Sequence, residues 1–165
     1  MAVELETERL RLRQWREDDI DALHEFFDDP VSRTIYGEDV KREDVWRRIA
    51  LYLGHWQIRG FGTLAIEEKS TGKFVGSTGL WFPESWGDVE VGYGIHPSFR
   101  RKGYAVEAVA CARDYGRSIG IGRLVSYIKP SNAASIAVAT RLGAKPDGEF
   151  ALHGIPHIVY LHPNT

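Results

Sequence analysis

The residues best placed to do chemistry form a basic turn at positions 100–103 (Arg-Arg-Lys-Gly). Before it, Val89 to His96 alternates apolar residues with small or polar ones at period two, which predicts a strand that ends at Pro97. From Tyr104 the apolar residues become dense, as in a buried helix. A helix N-terminus behind a glycine-containing turn presents free backbone N–H groups and the positive end of the helix dipole. This arrangement predicts a site for an anion such as a phosphate.

Size and composition limit the classes of protein to which the chain could belong. With 165 residues, 43% apolar and 27% charged, it has the dimensions of one domain, which we expect to span residues 1–165. The formal net charge of −2 and the scattered basic residues argue against a nucleic-acid partner. The single cysteine, Cys111, is typical of a reducing compartment. Since neither a signal peptide nor a membrane-length apolar run is recognisable, we expect a cytoplasmic protein without a membrane partner.

Periodicity along the remaining chain predicts a mixed α/β (α+β) domain. The predicted strands lie at residues 8–15, 62–67, 74–82, 88–96, 124–128 and, as a terminal pair around a Gly-Ile-Pro turn, within 150–161. The predicted helices lie at residues 17–29, 42–56, 104 to about 120, and 133–142, with a loop over 30–40. The order strand, helix, strand from residue 88 to residue 128 is a crossover, which predicts that its two strands run parallel.

Separate motifs resemble those of one known family. Residues 100–105 (Arg-Arg-Lys-Gly-Tyr-Ala) resemble the Arg/Gln-x-x-Gly-x-Gly/Ala signature of the GCN5-related N-acetyltransferases, the GNAT superfamily. Residues 132–135 (Asn-Ala-Ala-Ser) and 141–144 (Arg-Leu-Gly-Ala) resemble its Asn-x-x-Ser and Gly-Phe/Ala segments. Residues 6–13 are similar to the opening strand of the RimJ/RimL-like branch. The order of predicted elements matches this family over nearly the whole chain.

The resemblance implies a fold and a cosubstrate. The fold would be a single domain with a mixed sheet of about six to seven strands, flanked by about four helices, with two parallel central strands that splay apart. The cosubstrate would be acetyl-CoA, with its pantetheine arm between these strands and its pyrophosphate on the helix N-terminus. The residues implied in acetyl-CoA binding are Ile95, His96, Arg100, Arg101, Lys102, Gly103, Tyr104, Ala105 and Asn132.

The resemblance also implies direct transfer of an acetyl group to a primary amine in a ternary complex. This chemistry needs a deprotonated amine, a polarised thioester carbonyl and a stabilised leaving thiolate. Glu90 is the implied general base, and Ser135 is the implied hydrogen-bond donor to the departing sulfur. Structural alternatives stay open at this point. Glu90 could be a solvent-facing strand residue or the partner of an arginine, and Ser135 could serve only the start of its helix.

The acceptor site is implied by the elements that line it in the family: the first helix pair, the loop between them and the terminal hairpin. We expect four residues at the acceptor: Tyr36, Trp81, Trp86 and His153. We expect the other tryptophans in the core: Trp15, Trp46 and Trp56. A protein N-terminus and a small-molecule amine both remain candidate acceptors, and a homodimer remains open. We expect no metal, because the histidines of the terminal hairpin have no carboxylate or cysteine cluster beside them.

Two rival functions compete with the transferase. A catalytically silent acyl-CoA-binding domain would have the same turn and cleft but would show no turnover with any amine. A nucleotide-binding module is disfavoured, because no Gly-x-x-x-x-Gly-Lys-Ser/Thr sequence occurs and no Gly-x-Gly-x-x-Gly opens a helix. The basic turn could also be an ordinary solvated loop, although its place between a strand and a helix argues against this.

Overall fold

Eight strands and five α-helices make up the computed structural model, which describes residues 2–164. The strands are β1 (Leu5–Glu6), β2 (Leu10–Arg13), β3 (Thr63–Glu68), β4 (Phe74–Trp81), β5 (Val89–Ile95), β6 (Leu124–Ile128), β7 (Lys145–Leu152) and β8 (Ile155–Leu161). The α-helices are α1 (Ile20–Asp28), α2 (Pro30–Tyr36), α3 (Arg42–Arg59), α4 (Tyr104–Ser118) and α5 (Ala133–Arg141). The predicted α+β class is confirmed, and the short β1 and the helix α2 are additions to the predicted elements.

All strands belong to one mixed sheet in the order β1-β2-β3-β4-β5-β6-β8-β7. Every neighbouring pair is antiparallel except β5 and β6, which run parallel and are connected by the crossover helix α4. Their pairing is limited to Val89 with Leu124 and Glu90 with Val125. Beyond Glu90 the two strands separate. The predicted splayed pair of parallel strands is therefore confirmed.

Helix α4 covers one face of the sheet around this separation. Val109 and Ala112 pack with Leu80 and Val91 in a buried cluster. Gly116 permits the close approach of helix and sheet, because a Cβ there would lie 3.1 Å from a methyl group of Leu124. The burial of this apolar helix face fixes α4, and with it the turn that precedes it, against the centre of the sheet.

Helices α1 and α3 cover the opposite face. Phe26 and Phe27 of α1 pack with Val45 and Ile49 of α3 in a second buried cluster. Gly94 of β5 makes room for this layer, since a Cβ at this position would lie 2.6 Å from the ring of Phe26. None of the helices within residues 2–164 has the length and apolar character needed to cross a membrane.

The loop predicted over residues 30–40 was wrong, because residues 30–36 form helix α2. The Asp29-Pro30 pair, which ends α1, also starts α2. Pro30 occupies the first turn, where a missing N–H costs nothing, and Asp29 caps the helix by accepting a hydrogen bond from Ser32 N at 3.1 Å. The short helix carries Tyr36 at its C-terminal end, beside the separated strands.

Two smaller predictions were also wrong. Trp46 is 55% exposed and does not fill the core, because Val45 and Ile49 define the buried stripe of α3. The terminal turn lies at residues 153–154, both with positive φ, so that the predicted turn residues Ile155 and Pro156 begin β8 instead. Burial of Trp15 to 4% exposure confirms the prediction for that residue.

Candidate active site

A cavity of about 490 Å³ lies where β5 and β6 separate. Seven of the residues singled out in the sequence line it: Tyr36, Trp81, Trp86, Glu90, Asn132, Ser135 and His153. They come from α2, β4, β5, the turn before β5, the start of α5 and the β7–β8 hairpin. The residues expected to bind acetyl-CoA at 95–96 and 100–105 lie outside this lining, at the end of β5 and the start of α4.

Glu90 is the only carboxylate among the described residues that line the cavity. Trp86 Nε1 donates a hydrogen bond to Glu90 Oε2 at 2.9 Å. Burial raises the pKa of the Glu90 carboxyl to about 7, and it outweighs the opposing effects of Trp86 and of the backbone of Tyr127. Whereas Glu67 and Glu107 form ion pairs with arginines, Glu90 forms none within residues 2–164. It is therefore a carboxyl group able to accept and release a proton near pH 7.

The space beside Glu90 is open to a ligand. Gly92, the next residue on the same face of β5, lines the cavity, and a Cβ there would meet only Glu90 Oε1, at 3.9 Å. On another side, Trp86 and His153 form an aromatic wall with ring centroids 5.6 Å apart and planes inclined by 69°. The carboxylate is thus bounded by a glycine gap and an aromatic wall.

Ser135 lies in the first turn of α5 within reach of a second hydroxyl. Ser135 Oγ donates to Tyr93 Oη at 3.3 Å, and both side chains line the cavity. Asn132 caps the helix, because its Oδ1 accepts from Ser135 N at 3.2 Å. This leaves the NH₂ group of Asn132 for a ligand. The cap and the hydroxyl pair position α5 at the edge of the gap between the strands.

Further aromatic side chains form the wall opposite the hairpin. Tyr36 packs against Phe27 with ring centroids 5.5 Å apart, and Trp81 lies between His55 and Tyr52, at 4.4 Å and 5.5 Å. Tyr36, Trp81 and Tyr52 all line the cavity. This wall of the cavity is therefore built from α2, α3 and β4, and it is largely aromatic.

A buried hydrogen-bond chain occupies the point where the strands diverge. Ser126 Oγ of β6 donates to the backbone carbonyl of Val91 at 2.7 Å, which satisfies an acceptor that faces β6. Since the Ser126 proton is used there, His162 Nε2 donates to Ser126 Oγ, at 2.8 Å. Burial lowers the pKa of His162 to about 4, so its ring is neutral at pH 7. No group of three metal-ligating side chains occurs in the part of the chain that the structure describes.

The turn before α4 has the backbone geometry of an anion site. Gly103 is the N-cap of α4 with φ of +79°, and Arg101 also has a positive φ, of 61°. No side chain caps the helix, which leaves the N–H groups of its first turn free. A Cβ at Gly103 would have no neighbour closer than Arg9 Nη2, at 3.5 Å, so an incoming group can approach the backbone. Free N–H groups and the helix dipole together favour a phosphate.

The basic side chains of the turn differ in whether they are held by other residues. Arg101 and Lys102 are exposed, and Lys102 Nζ lies 5.1 Å from the ring centroid of Phe99. Arg100 is held elsewhere: Nη1 pairs with Asp29 at 2.8 Å, and Nε donates to the carbonyl of Ile95 at 3.1 Å. Arg100 thus ties α2 to the end of β5.

The residues next to the turn that we expect to bind acetyl-CoA differ in the direction in which their polar groups face. His96 N donates to Val75 O of β4 at 2.7 Å, and the His96 ring lies 3.0 Å from Glu25. The polar groups of His96 therefore face away from β6. The Val91 carbonyl faces β6, so by alternation the backbone groups of Tyr93 and Ile95 face the gap. The side chain of Tyr104 is buried and donates from its hydroxyl to Glu68. Backbone, and not side chain, is what Ile95 and Tyr104 can offer a ligand.

Several cavity residues were missed from the sequence: Arg48, Tyr52, Tyr93, Ser126, Lys129 and His162. Tyr93 lies on the opposite face of β5 from Glu90, and both reach the cavity only because β6 diverges. Alternation along β5 assigns Tyr93 to the α4 face, so the sequence contained no signal that it lies near Glu90. The others come from segments distant in sequence, which only the fold brings together.

Comparison with known proteins agrees with the geometry. The model of the acetyltransferase (GNAT) domain matches residues 9–145. YkkB of Bacillus subtilis is 32% identical over 151 residues, which cover 84% of this chain and 83% of that protein. The acetyltransferase of Agrobacterium tumefaciens is 29% identical, with a TM-score of 0.88 over 98% of this chain and 94% of that chain. A putative ribosomal-protein-serine acetyltransferase of Vibrio cholerae shares the fold at 23% identity, with a TM-score of 0.80 and 98% of both chains covered.

The chain therefore belongs to the GNAT acetyltransferase family. It is an acetyl-CoA-dependent acetyltransferase. Ribosomal-protein acetyltransferases are among its relatives in fold, which agrees with the similarity of residues 6–13 to the RimJ/RimL-like branch.

Proposed function

We propose that the protein transfers the acetyl group of acetyl-CoA to a primary amine, and that Glu90 takes the proton from that amine. The observation that carries the proposal is the Glu90 carboxyl, which burial brings to a pKa of about 7, in the cavity between β5 and β6. A base with this pKa is about half ionised at neutral pH, where proton transfer to and from it is efficient.

The chain's residues fit acetyl-CoA as the cosubstrate, which supplies the activated acetyl group as a thioester. The free N–H groups at the start of α4 would hold the phosphates, with Arg101 and Lys102 adding charge. The backbone groups of Tyr93 and the N–H of Ile95, which face the gap, would bind the pantetheine amides as an added strand would. The side-chain NH₂ of Asn132 would donate to the same arm.

Ser135 is our candidate for stabilising the departing sulfur. When the bond from the amine nitrogen to the acetyl carbon forms and the C–S bond breaks, negative charge develops on the sulfur. The hydroxyl of Ser135 lines the cavity and can donate a hydrogen bond to that charge. The adjacent Tyr93 hydroxyl, at 3.3 Å, is a second donor in the same position.

Direct transfer is favoured over an acetylated enzyme. The only cysteine, Cys111, lies on α4 and is not among the residues that line the cavity. Burial raises the pKa of its thiol, and the thiol form is a poor nucleophile. Without an acetylated cysteine, both substrates must be bound at the same time. In that complex the amine gives its proton to Glu90.

The test measures thiol release from acetyl-CoA in the presence of matched compounds, each a primary amine and the alcohol of the same skeleton. We expect thiol release and a mass gain of one acetyl group with amines only. Calorimetric titration with acetyl-CoA is measured in parallel. Saturable binding without thiol release from any amine is what a silent acyl-CoA-binding domain predicts, and it would contradict the proposal. Preferential use of the alcohols would contradict the choice of acceptor.

A further inference from the structure

The cavity wall carries more cationic than anionic side chains, and acetyl transfer alone does not explain this excess. Two cationic side chains, Arg48 of α3 and Lys129 after β6, line the cavity with the single carboxylate Glu90. The ammonium group of Lys129 donates to the backbone carbonyl of Ile35 at 3.0 Å. Because Glu90 is only partly ionised near pH 7, the lining has a positive balance of charge before a substrate enters.

Arg48 differs from the other arginines of its helix. Arg42 pairs with Asp21 at 2.8 Å, Arg47 pairs with Asp44 at 3.0 Å, and Arg59 lies 3.7 Å from a glutamate. Arg48 is half-buried, yet it forms no ion pair with any carboxylate within residues 2–164. Its guanidinium lies 4.7 Å from the ring centroid of Phe27, on the wall that faces the cavity.

A half-buried guanidinium without a counter-ion is unusual, because burial of a charge is costly unless it is paired. Arg13 shows the usual solution in this molecule, since it is 6% exposed and pairs with both Asp19 and Glu67. The guanidinium of Arg48 instead has aromatic neighbours, the hydroxyl of Tyr52 and the ring of Phe27, and its side chain lines the cavity, where a ligand can reach it. Carboxylate and phosphate are the groups that the fork of N–H donors on a guanidinium binds best.

The phosphates of acetyl-CoA do not account for this position. Their predicted site is the turn at 100–105, none of whose residues lines the cavity. Arg48 lies on the wall built by α2 and α3, together with Tyr52 and the acceptor candidate Tyr36. An anion at Arg48 therefore belongs to the acceptor.

We infer that the acceptor is a primary amine that also carries an anionic group, a carboxylate or a phosphate, which Arg48 binds while Glu90 receives the proton of the amine. The inference rests on the proposed acetyl transfer to amines and adds the chemistry of the rest of the acceptor. Aromatic side chains that line the same cavity, Tyr36 and Trp81 among them, would contact the skeleton that joins amine and anion.

The test compares amines that differ only in charge: amino carboxylates of increasing length, their carboxamides, and aminoalkyl phosphates of the same lengths. Wild type is expected to use the anionic members with kcat/KM at least about tenfold above the carboxamides. Comparison of the amino carboxylates with the aminoalkyl phosphates shows which of the two anions the site prefers. Arg48→Gln should raise KM for the anionic members by about 10- to 100-fold and leave the carboxamides unchanged, while Arg48→Lys should restore part of the preference.

Arg47→Gln is the matched control, because Arg47 lies on the same helix, is exposed and pairs with Asp44; it should leave the charge preference intact. Melting temperature and acetyl-CoA affinity establish that each variant is folded. If wild type uses carboxamides as well as carboxylates, or Arg48→Gln keeps the preference, the inference is overturned while acetyl transfer to amines stands. If no amine is used at all, the proposed function fails, and the inference fails with it.

Discussion

The turn before α4 and the cavity around Glu90 are built on different principles. The turn before α4 is one continuous segment, and its capacity to hold an anion comes from backbone N–H groups and a glycine with positive φ. The cavity around Glu90 is assembled from α2, α3, β4, β5, α5 and the β7–β8 hairpin, and its properties come from side chains. The turn suits acetyl-CoA, the cosubstrate that the family has in common. We propose that the cavity provides the base and selects the acceptor.

The largest effect is expected in the cavity around Glu90. Glu90→Gln removes the base but keeps an acceptor for Trp86 Nε1, so turnover should fall by about 10²- to 10⁴-fold while acetyl-CoA affinity changes little. Steady-state thiol release and calorimetric titration measure the two quantities. Glu84→Gln is the control, because the side chain of Glu84 is 98% exposed in the turn before β5, and its turnover should match wild type. A fully active Glu90→Gln variant would remove Glu90 from the mechanism.

In the turn before α4, Gly103→Glu places a carboxylate where the phosphates of acetyl-CoA are expected. We predict a loss of acetyl-CoA affinity of about 10- to 100-fold, measured by calorimetry. Gly103→Ala is the matched control, since any side chain is strained at φ of +79° and both variants should lose about 1 kcal/mol of stability. An equal loss of affinity in both variants would assign the effect to backbone strain, and unchanged affinity in Gly103→Glu would contradict the phosphate site.

The smallest effect is expected for Ser135→Ala. The loss of one neutral hydrogen-bond donor should slow acetyl transfer by about 2- to 10-fold, with acetyl-CoA affinity unchanged. The effect is modest because Tyr93 Oη lies 3.3 Å away and can donate in its place. Combination with Tyr93→Phe should therefore cost more than the sum of the two single effects. Simple additivity of the two would show that the hydroxyls act independently.

The same contrast explains how much could be predicted from the sequence. The turn at 100–105 and the parallel pair β5 and β6 were predictable, because strand, turn and helix follow one another along the chain and each has a local pattern. Helix α2 was missed because the Asp29-Pro30 pair both ends one helix and begins the next. Trp46 was misplaced because its apolar character was taken as evidence of burial, whereas α3 buries only a narrow stripe.

The composition of the cavity was only partly predictable. Residues such as Trp86 and His153 were suggested by the family resemblance, but their contact with each other depends on the β7–β8 hairpin lying beside the turn before β5. The raised pKa of Glu90 depends on burial, and the missing partner of Arg48 depends on where every carboxylate of the fold lies. These are properties of three-dimensional packing, for which no local pattern exists.

The central claim is that Glu90 is the base, and the pH dependence of kcat/KM tests it most directly. Burial raises the pKa of this carboxyl to about 7, and a base must be deprotonated to act, so wild-type activity should be lost as the pH falls through 7. Wild type and Glu90→Gln are measured with the same amine, so that ionisation of the amine contributes equally to both profiles. We predict an inflection near pH 7 in wild type that the residual activity of Glu90→Gln lacks. The same inflection in both proteins would assign the titration to another group and contradict the account.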